Sequence, residues 1–204
     1  MTENAIAVKT DSTLSVFSTE ENFKNAMIMA EQLSKSDMIP ATYKGKPENC
    51  VIALELSNRL KLSPFLVMQN MYIVQGKPAW SSSFIISCIN GSGRFSGPLK
   101  FEMDANKTKC RAYATEKVSG EKLVGPLITM EMAQAEGWLG KNGSKWKTMP
   151  ELMLRYRAAA FFGRLYCPEI INGMLTTEEA QDIRPLDTEN DVTDVFATLD
   201  LNAF

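Results

Sequence analysis

At 204 residues, with 45% apolar and 23% charged side chains, the chain has the composition of a globular protein long enough to bury a sizeable core. It has no histidine, and its four cysteines, Cys50, Cys88, Cys110 and Cys167, are scattered without a C-x-x-C pair, which excludes histidine-based catalysis and a Cys/His zinc site. The longest apolar stretches, such as Phe84-Ile85-Ile86 and Ala158 to Phe162, are too short to cross a bilayer and the N-terminus lacks a basic-then-apolar signal, so a cytoplasmic location and no membrane partner are expected.

Residues 1 to 17 are polar and small without periodicity and read as a disordered lead. A first helix is predicted after the Ser18 or Thr19 cap, favoured by Glu20 and Glu21 and running to about Ser34, with Phe23, Ala26, Met27, Ala30 and Leu33 on one face. A turn around Asp37 to Pro47 leads to a second helix reaching about Leu60, with Val51, Leu54, Asn58 and Leu62 near one face, and Ser63-Pro64 opens a short third. Met71 to Gln75, a Gly76-Lys77-Pro78 turn and Ala79-Trp80 read as a tight hairpin. Ser81 to Asn90 is then a helix stopped by Gly91-Ser92-Gly93. Strands follow at Arg94 to Asp104 and Lys109 to Lys117, on the alternation of Leu99, Phe101, Met103 and of Cys110, Ala112, Ala114, with a strand-like Leu123 to Ile128 after them. Thr129 caps a helix to about Gly137, a Gly- and Lys-bearing loop covers Gly140 to Thr148, and a long helix runs from Pro150 to about Tyr166. Thr177 to Ile183 forms a last short helix, and Pro185 begins an acidic tail to residue 204. This order predicts an α+β fold, helices packed around a small antiparallel β-sheet, in one core domain over residues 18 to 184.

The net charge of -2 conceals a polarity. From Glu178 onward there are eight acids and one arginine, so residues 1 to 177 carry 21 basic and 16 acidic groups, a balance of +5. The excess concentrates in Lys141, Lys145, Lys147, Arg155, Arg157 and Arg164, opposed only by Glu151. Such a stripe suggests a polyanion partner, with a solvated helix face as the plainer reading. The acidic tail is expected to compete with that partner.

Enzyme signatures are missing. There is no G-x-x-x-x-G-K-[ST] loop for ATP, Ser81-Ser82-Ser83 has no histidine to activate it and reads as a helix cap, and Glu102 and Asp104 read as edge-strand carboxylates rather than a nuclease metal site. No catalytic residue, cofactor or metal is expected. In the long helix, Leu154, Ala158, Phe161 and Leu165 form the predicted core stripe. Arg157 and Arg164, seven apart, fall within about 20° on an adjacent face and about 10 Å apart along the axis. That pair suits successive phosphates or stacked bases. Trp146, between Lys145 and Lys147, reads as a base-stacking platform or as a core plug.

The run Trp146-Lys-Thr-Met-Pro150-Glu-Leu-Met153-Leu154-Arg155-Tyr-Arg157-Ala158, continued by Arg164-Leu165 and Glu179-Ala180, resembles the W-x-x-x-P-x-x-M-L-R-x-[KR]-A...R-L...E-A pattern of the RecT/Red-beta single-strand annealing proteins of phages and prophages. Upstream, Tyr43-Lys44-Gly45, Ile52-Ala53-Leu54, Asn58 and Leu62-Ser63-Pro64 are similar to that family's F-K-G...I-A-L...N...L-N-P segment, and Tyr72 to Phe95 is similar to the hairpin and helix that follow. The resemblance covers about residues 20 to 183. It implies an annealing core that assembles into rings or helical filaments in a bacterial host cytoplasm, with a basic groove that holds single-stranded DNA or the annealed duplex by its backbone. It places Lys44, Arg157 and Arg164 in that groove, with Arg155 in the same motif and Lys77, Lys141, Lys145 and Lys147 as looser assignments. Longer relatives carry a further domain linked to an exonuclease and a host single-strand-binding protein, whereas here an acidic tail follows.

The expected function is therefore ATP-independent binding and annealing of complementary strands in recombination, not enzymatic catalysis. Contacts to phosphates and sugars carry no sequence preference, and affinity must be summed over many protomers on one strand. A protective single-strand-binding protein that does not anneal is the alternative.

Overall fold

A computed structural model of the chain describes residues 15–74, 76–171 and 173–182. The chain divides into two compact units, Met1–Tyr72 and Ile73–Phe204. The expected acidic tail, and the expected disordered lead apart from Ser15 to Phe17, lie outside the described residues. Those three are not free chain: Ser15 Oγ and the Val16 amide both donate to Glu55 Oε2 at 2.8 Å.

The first unit is helical. Thr19 caps α1 (Glu20–Ser34), its hydroxyl accepting from the Asn22 amide at 3.0 Å, and Glu20 and Glu21 sit in the first turn where the helix dipole favours anions. Proline at the first position starts both α2 (Pro47–Leu60) and α3 (Pro64–Asn70). Ala26, Ala30 and Ser34, four apart, form the buried line of α1 and pack toward α2, whose buried residues are Cys50, Val51, Ala53, Leu54 and Ser57. Phe23, expected in the core of this face, is exposed and lies against Phe17 instead, their ring centroids 5.9 Å apart.

The second unit carries the sheets. Strands β1 (Met71–Val74), within which the division falls, and β2 (Lys77–Trp80) are followed by α4 (Ser82–Gly91), capped by Ser81. The antiparallel sheet is built on β4 (Lys109–Thr115): β3 (Lys100–Met103) pairs on one side, with Phe101 opposite Ala112, and β5 (Lys122–Val124) and β6 (Ile128–Thr129) pair on the other, with Ala114 opposite Leu123 and Cys110 opposite Ile128. The expected strand from Arg94 is shorter because Gly97-Pro98 interrupts it, leaving one bridge between Phe95 and Glu116; Gly125-Pro126 likewise splits the strand expected over Leu123 to Ile128.

Alternation puts Cys110, Ala112 and Ala114 on the buried face of β4, and α7 (Pro150–Tyr166) packs across them. Before it come α5 (Met130–Ala135), capped by the Thr129 hydroxyl, and the short α6 (Lys145–Thr148) within the expected loop. After α7 come α8 (Pro168–Ile171), the two-residue β7 (Leu175–Thr176) and α9 (Thr177–Asp182). Neither α8 nor β7 is signalled by periodicity. Strand β7 pairs parallel to β2, Ala79 with Leu175 and Trp80 with Thr176. The buried side of α7 is Met153, Leu154, Arg157, Ala158, Ala159, Ala160, Phe162 and Gly163. This corrects the predicted stripe: Phe161 is half-exposed and Leu165 is 60% exposed, since the sheet and α4 clasp the helix around Phe162 and Gly163 instead. The architecture is α+β, with helices and small sheets, one of them wholly antiparallel.

Candidate nucleic-acid interface

The residues of the long gapped pattern converge within the second unit. Ser144 caps α6, its hydroxyl accepting from the Trp146 amide at 3.3 Å, and this seats Trp146 inward, 1% exposed, with its ring centroid 5.1 Å from that of Trp138. Trp146 is therefore a core plug, and the base-stacking role assigned to it is corrected: neither face of a residue this enclosed meets a base. Arg157 lies over the same two rings, its guanidinium carbon 3.9 Å from the centroid of Trp138 and 5.9 Å from that of Trp146.

Arg157 is 6% exposed, so it does not project into an open groove beside Arg164 as the spacing suggested. It pairs instead with α9, with Asp182 and, at 3.4 Å, with Glu179. The seven-residue spacing does bring the two arginines to one partner. Arg164 forks onto Glu179, Nη1 donating to Oε1 at 2.7 Å and Nη2 donating to Oε2. Glu179 also closes a capping box at the start of α9, accepting from the Thr176 amide at 2.9 Å while its own amide donates to the Thr176 hydroxyl at 3.1 Å. Trp146 Nε1 donates to Asp182 at 3.4 Å, and Lys141 Nζ donates to the Gln181 carbonyl at 2.5 Å.

The two carboxyls respond oppositely. Burial alone would raise Glu179, yet the Arg164 fork, the Thr176 amide and Arg157 together hold it below the ordinary carboxylate value. Burial raises Asp182, against the pull of Arg157 and the Trp146 hydrogen bond. Burial likewise lowers Arg157, opposed by Glu179 and Asp182. Glu179 is thus the anchor of the network and Asp182 its weak corner. With Arg157 and Arg164 against Glu179 and Asp182, the cluster is neutral.

The other sequence-derived residues lie on the surface. Lys145 and Lys147 are exposed on α6, Lys77 is exposed on β2, and in the first unit the exposed Lys44 pairs with Asp37. Arg155, half-exposed, pairs with Glu151 at 4.0 Å, and Glu151 also takes Lys107 at 2.8 Å from the turn between β3 and β4. Lys107, held there at φ 59 in a turn whose Thr108 and Lys109 amides donate to Asp104, was missed from sequence. Trp138 and Asp182 were also missed, although Thr176-x-x-Glu179 is a readable capping box.

Among the described residues no group of three His, Cys, Asp or Glu side chains is placed to hold a metal ion, and no helix is long and apolar enough to span a membrane. Comparison with family models, with curated proteins and with solved structures gives no match in any of the three.

Proposed function

We propose that the chain binds single-stranded DNA through its sugar-phosphate backbone and anneals complementary strands without ATP, as an oligomer in the cytoplasm, in the manner of the RecT/Red-beta proteins that its sequence resembles. The observation that carries this reading is convergence: Trp146, Met153, Leu154, Arg157, Ala158, Arg164, Glu179 and Ala180, spread over 35 positions of the chain, either build one cluster or lie in the buried side of the two helices that form it. That the members of the gapped pattern lie together in one structural unit supports reading the resemblance as more than a scatter of common residues.

In this reading the exposed Lys145, Lys147 and Lys107 and the half-exposed Arg155 take the phosphates, and Arg157 is a positioning residue that holds α9 against α7. Phosphate contacts release counterions, so binding weakens with salt by a slope of about 0.7 per contact on a single strand. Replacing Lys145 and Lys147 together with alanine should weaken binding of all sequences alike and flatten that slope by roughly 1.4. The test is fluorescence anisotropy across a salt series together with an annealing assay on complementary labelled oligonucleotides without nucleotide. An unchanged slope removes these lysines from the interface. Tight strand binding with no acceleration of annealing would instead establish a protective single-strand-binding protein.

A further inference from the structure

The antiparallel sheet carries a defect where Gly97-Pro98 interrupts the approach to β3. Phe95 bridges Glu116, and the ladder resumes with Lys100 opposite Tyr113, so five steps along one strand are matched by three along the other. The two extra residues bow the chain off the ladder, as a bulge does. Proline has no amide with which to rejoin β4. Ser96 holds the near end of the bow, its amide donating to the Thr115 carbonyl at 3.0 Å. At the bow lies a cavity of about 170 Å³, lined by Ser96, Gly97, Pro98 and Lys100 on one side and by Tyr113 and Thr115 of β4.

Every polar side chain of that lining can donate a hydrogen bond. Because Cys110, Ala112 and Ala114 are buried, alternation turns Tyr113 and Thr115 to the outer face, with Lys100 directly across from Tyr113. The Ser96 hydroxyl donates to the Thr115 carbonyl at 3.4 Å, which leaves the hydroxyls of Tyr113 and Thr115 and the Lys100 ammonium for a ligand. No carboxylate lines the cavity. Lys122, opposite Thr115 on β5, brings a second ammonium to 4.1 Å from the centroid of the Tyr113 ring. The acids beside these lysines are engaged elsewhere. Glu102 forks onto Arg111, accepting at 3.1 and 3.2 Å, and Glu116 accepts from Ser119 at 2.7 Å and pairs with Arg94 at 3.4 Å.

We propose that this cavity seats a phosphate group, held by the Lys100 ammonium and by hydrogen bonds from Tyr113 and Thr115. Size and charge select the occupant. Pockets for drug-sized ligands begin at about 300 Å³, so this one takes a single small group. Donors beside two cations, with no acceptor carboxylate among them, suit an anion with several oxygens. The seat stands apart from the proposed DNA binding, whereas its assignment to a backbone phosphate of a bound strand rests on that reading. Orthophosphate is the other source of the same chemistry.

The test uses the full chain and two probes. A labelled mixed-sequence oligonucleotide is read by anisotropy across a salt series, and sodium phosphate by melting temperature against sodium chloride of equal ionic strength. Lys100→Gln is expected to flatten the salt slope by about 0.7, the loss of one contact on a single strand. Tyr113→Phe keeps the ring and should weaken oligonucleotide binding roughly threefold with the slope unchanged. Lys117→Gln, which removes an exposed charge outside the cavity, should leave both readings as in the wild type. If Lys117→Gln flattens the slope as much as Lys100→Gln does, the sheet contributes only diffuse charge and the seat is overturned. A phosphate-specific rise in melting temperature that Lys100→Gln abolishes, with oligonucleotide binding unaltered, keeps the seat and assigns it to free phosphate. No effect of Lys100→Gln or Tyr113→Phe on either probe would overturn the seat while leaving DNA binding standing. A wild-type chain that binds no oligonucleotide, yet melts higher in phosphate only while Lys100 is present, would overturn the proposed function and keep the seat.

Discussion

Replacing Arg157 with alanine removes a guanidinium from among Glu179, 4% exposed, Asp182 and the rings of Trp138 and Trp146. Glu179 keeps the Arg164 fork, so the charge left without a partner is chiefly that of Asp182. Breaking a buried pair by removing one member costs about 3–5 kcal/mol, because the other charge stays desolvated. Against a total stability of about 5–15 kcal/mol this is a large fraction, and it should lower the melting temperature by on the order of 10 °C. Changing both partners separates burial from contact. Arg157→Met with Asp182→Leu removes both charges and keeps apolar volume, so it should recover most of the lost stability. The assay is thermal unfolding followed by circular dichroism, on the wild type, both single variants and the double variant, with strand binding measured well below every midpoint. If Arg157 acts only by holding α9, the folded double variant binds oligonucleotides as the wild type does. A double variant that is stable yet binds all sequences more weakly would show that Arg157 reaches phosphate itself, and an alanine variant that melts at the wild-type temperature would refute the buried network.

Asp182 and Glu179 should titrate with opposite consequences. Because Asp182 is raised in the fold, the folded state takes up its proton first as pH falls, so stability rises as pH drops through that raised value toward the unfolded one near 3.8; Asp182→Asn should remove this rise in a pH series of melting temperatures. Glu179 is held low, so its contribution is complete above its unfolded value near 4.5 and is lost as pH falls below the depressed one, and Glu179→Gln should flatten that acid limb while costing stability at neutral pH. Gly163→Ala places a methyl 2.6 Å from Ile171 Cδ1 and 3.2 Å from Ile89 Cδ1, and should cost about 1–3 kcal/mol in denaturant unfolding; no cost would mean that these isoleucine ends rearrange freely.

Much of the fold was legible because its boundaries are set locally. Thr19, Ser81 and Thr129 each cap the helix that follows by accepting its amide, and Pro47, Pro64 and Pro150 each start one, so these ends follow from two or three adjacent residues. What failed was the assignment of sides. A period of 3.6 shows which residues of α7 share a face, but only the partners decide which face is enclosed, and here Phe162 and Gly163 are covered while Phe161 and Leu165 are not. The same limit applies to charge. Arg157 and Arg164 were correctly placed on one line, and the acids from Glu178 onward were expected to compete for them, yet nothing local to α7 reveals that Glu179 and Asp182 return to lie on those guanidinium groups.

The strand β7 that delivers those acids has a kinetic consequence. It joins β2 by two residue pairs in parallel, and beside it Ser82 Oγ donates at 2.6 Å to Glu178, 96 residues away in sequence. Contacts of such separation form late, because the entropy of closing the intervening chain is lost before any contact offsets it. Until β7 docks, Arg157 and Arg164 have no acidic partner from α9, and their charge is uncompensated beside Trp138 and Trp146. A partly folded or still-growing chain is thus more strongly basic at this site than the finished protein. Polyanions in the cell should bind such chains most avidly during that interval, and should hinder completion of the fold by occupying the place of α9.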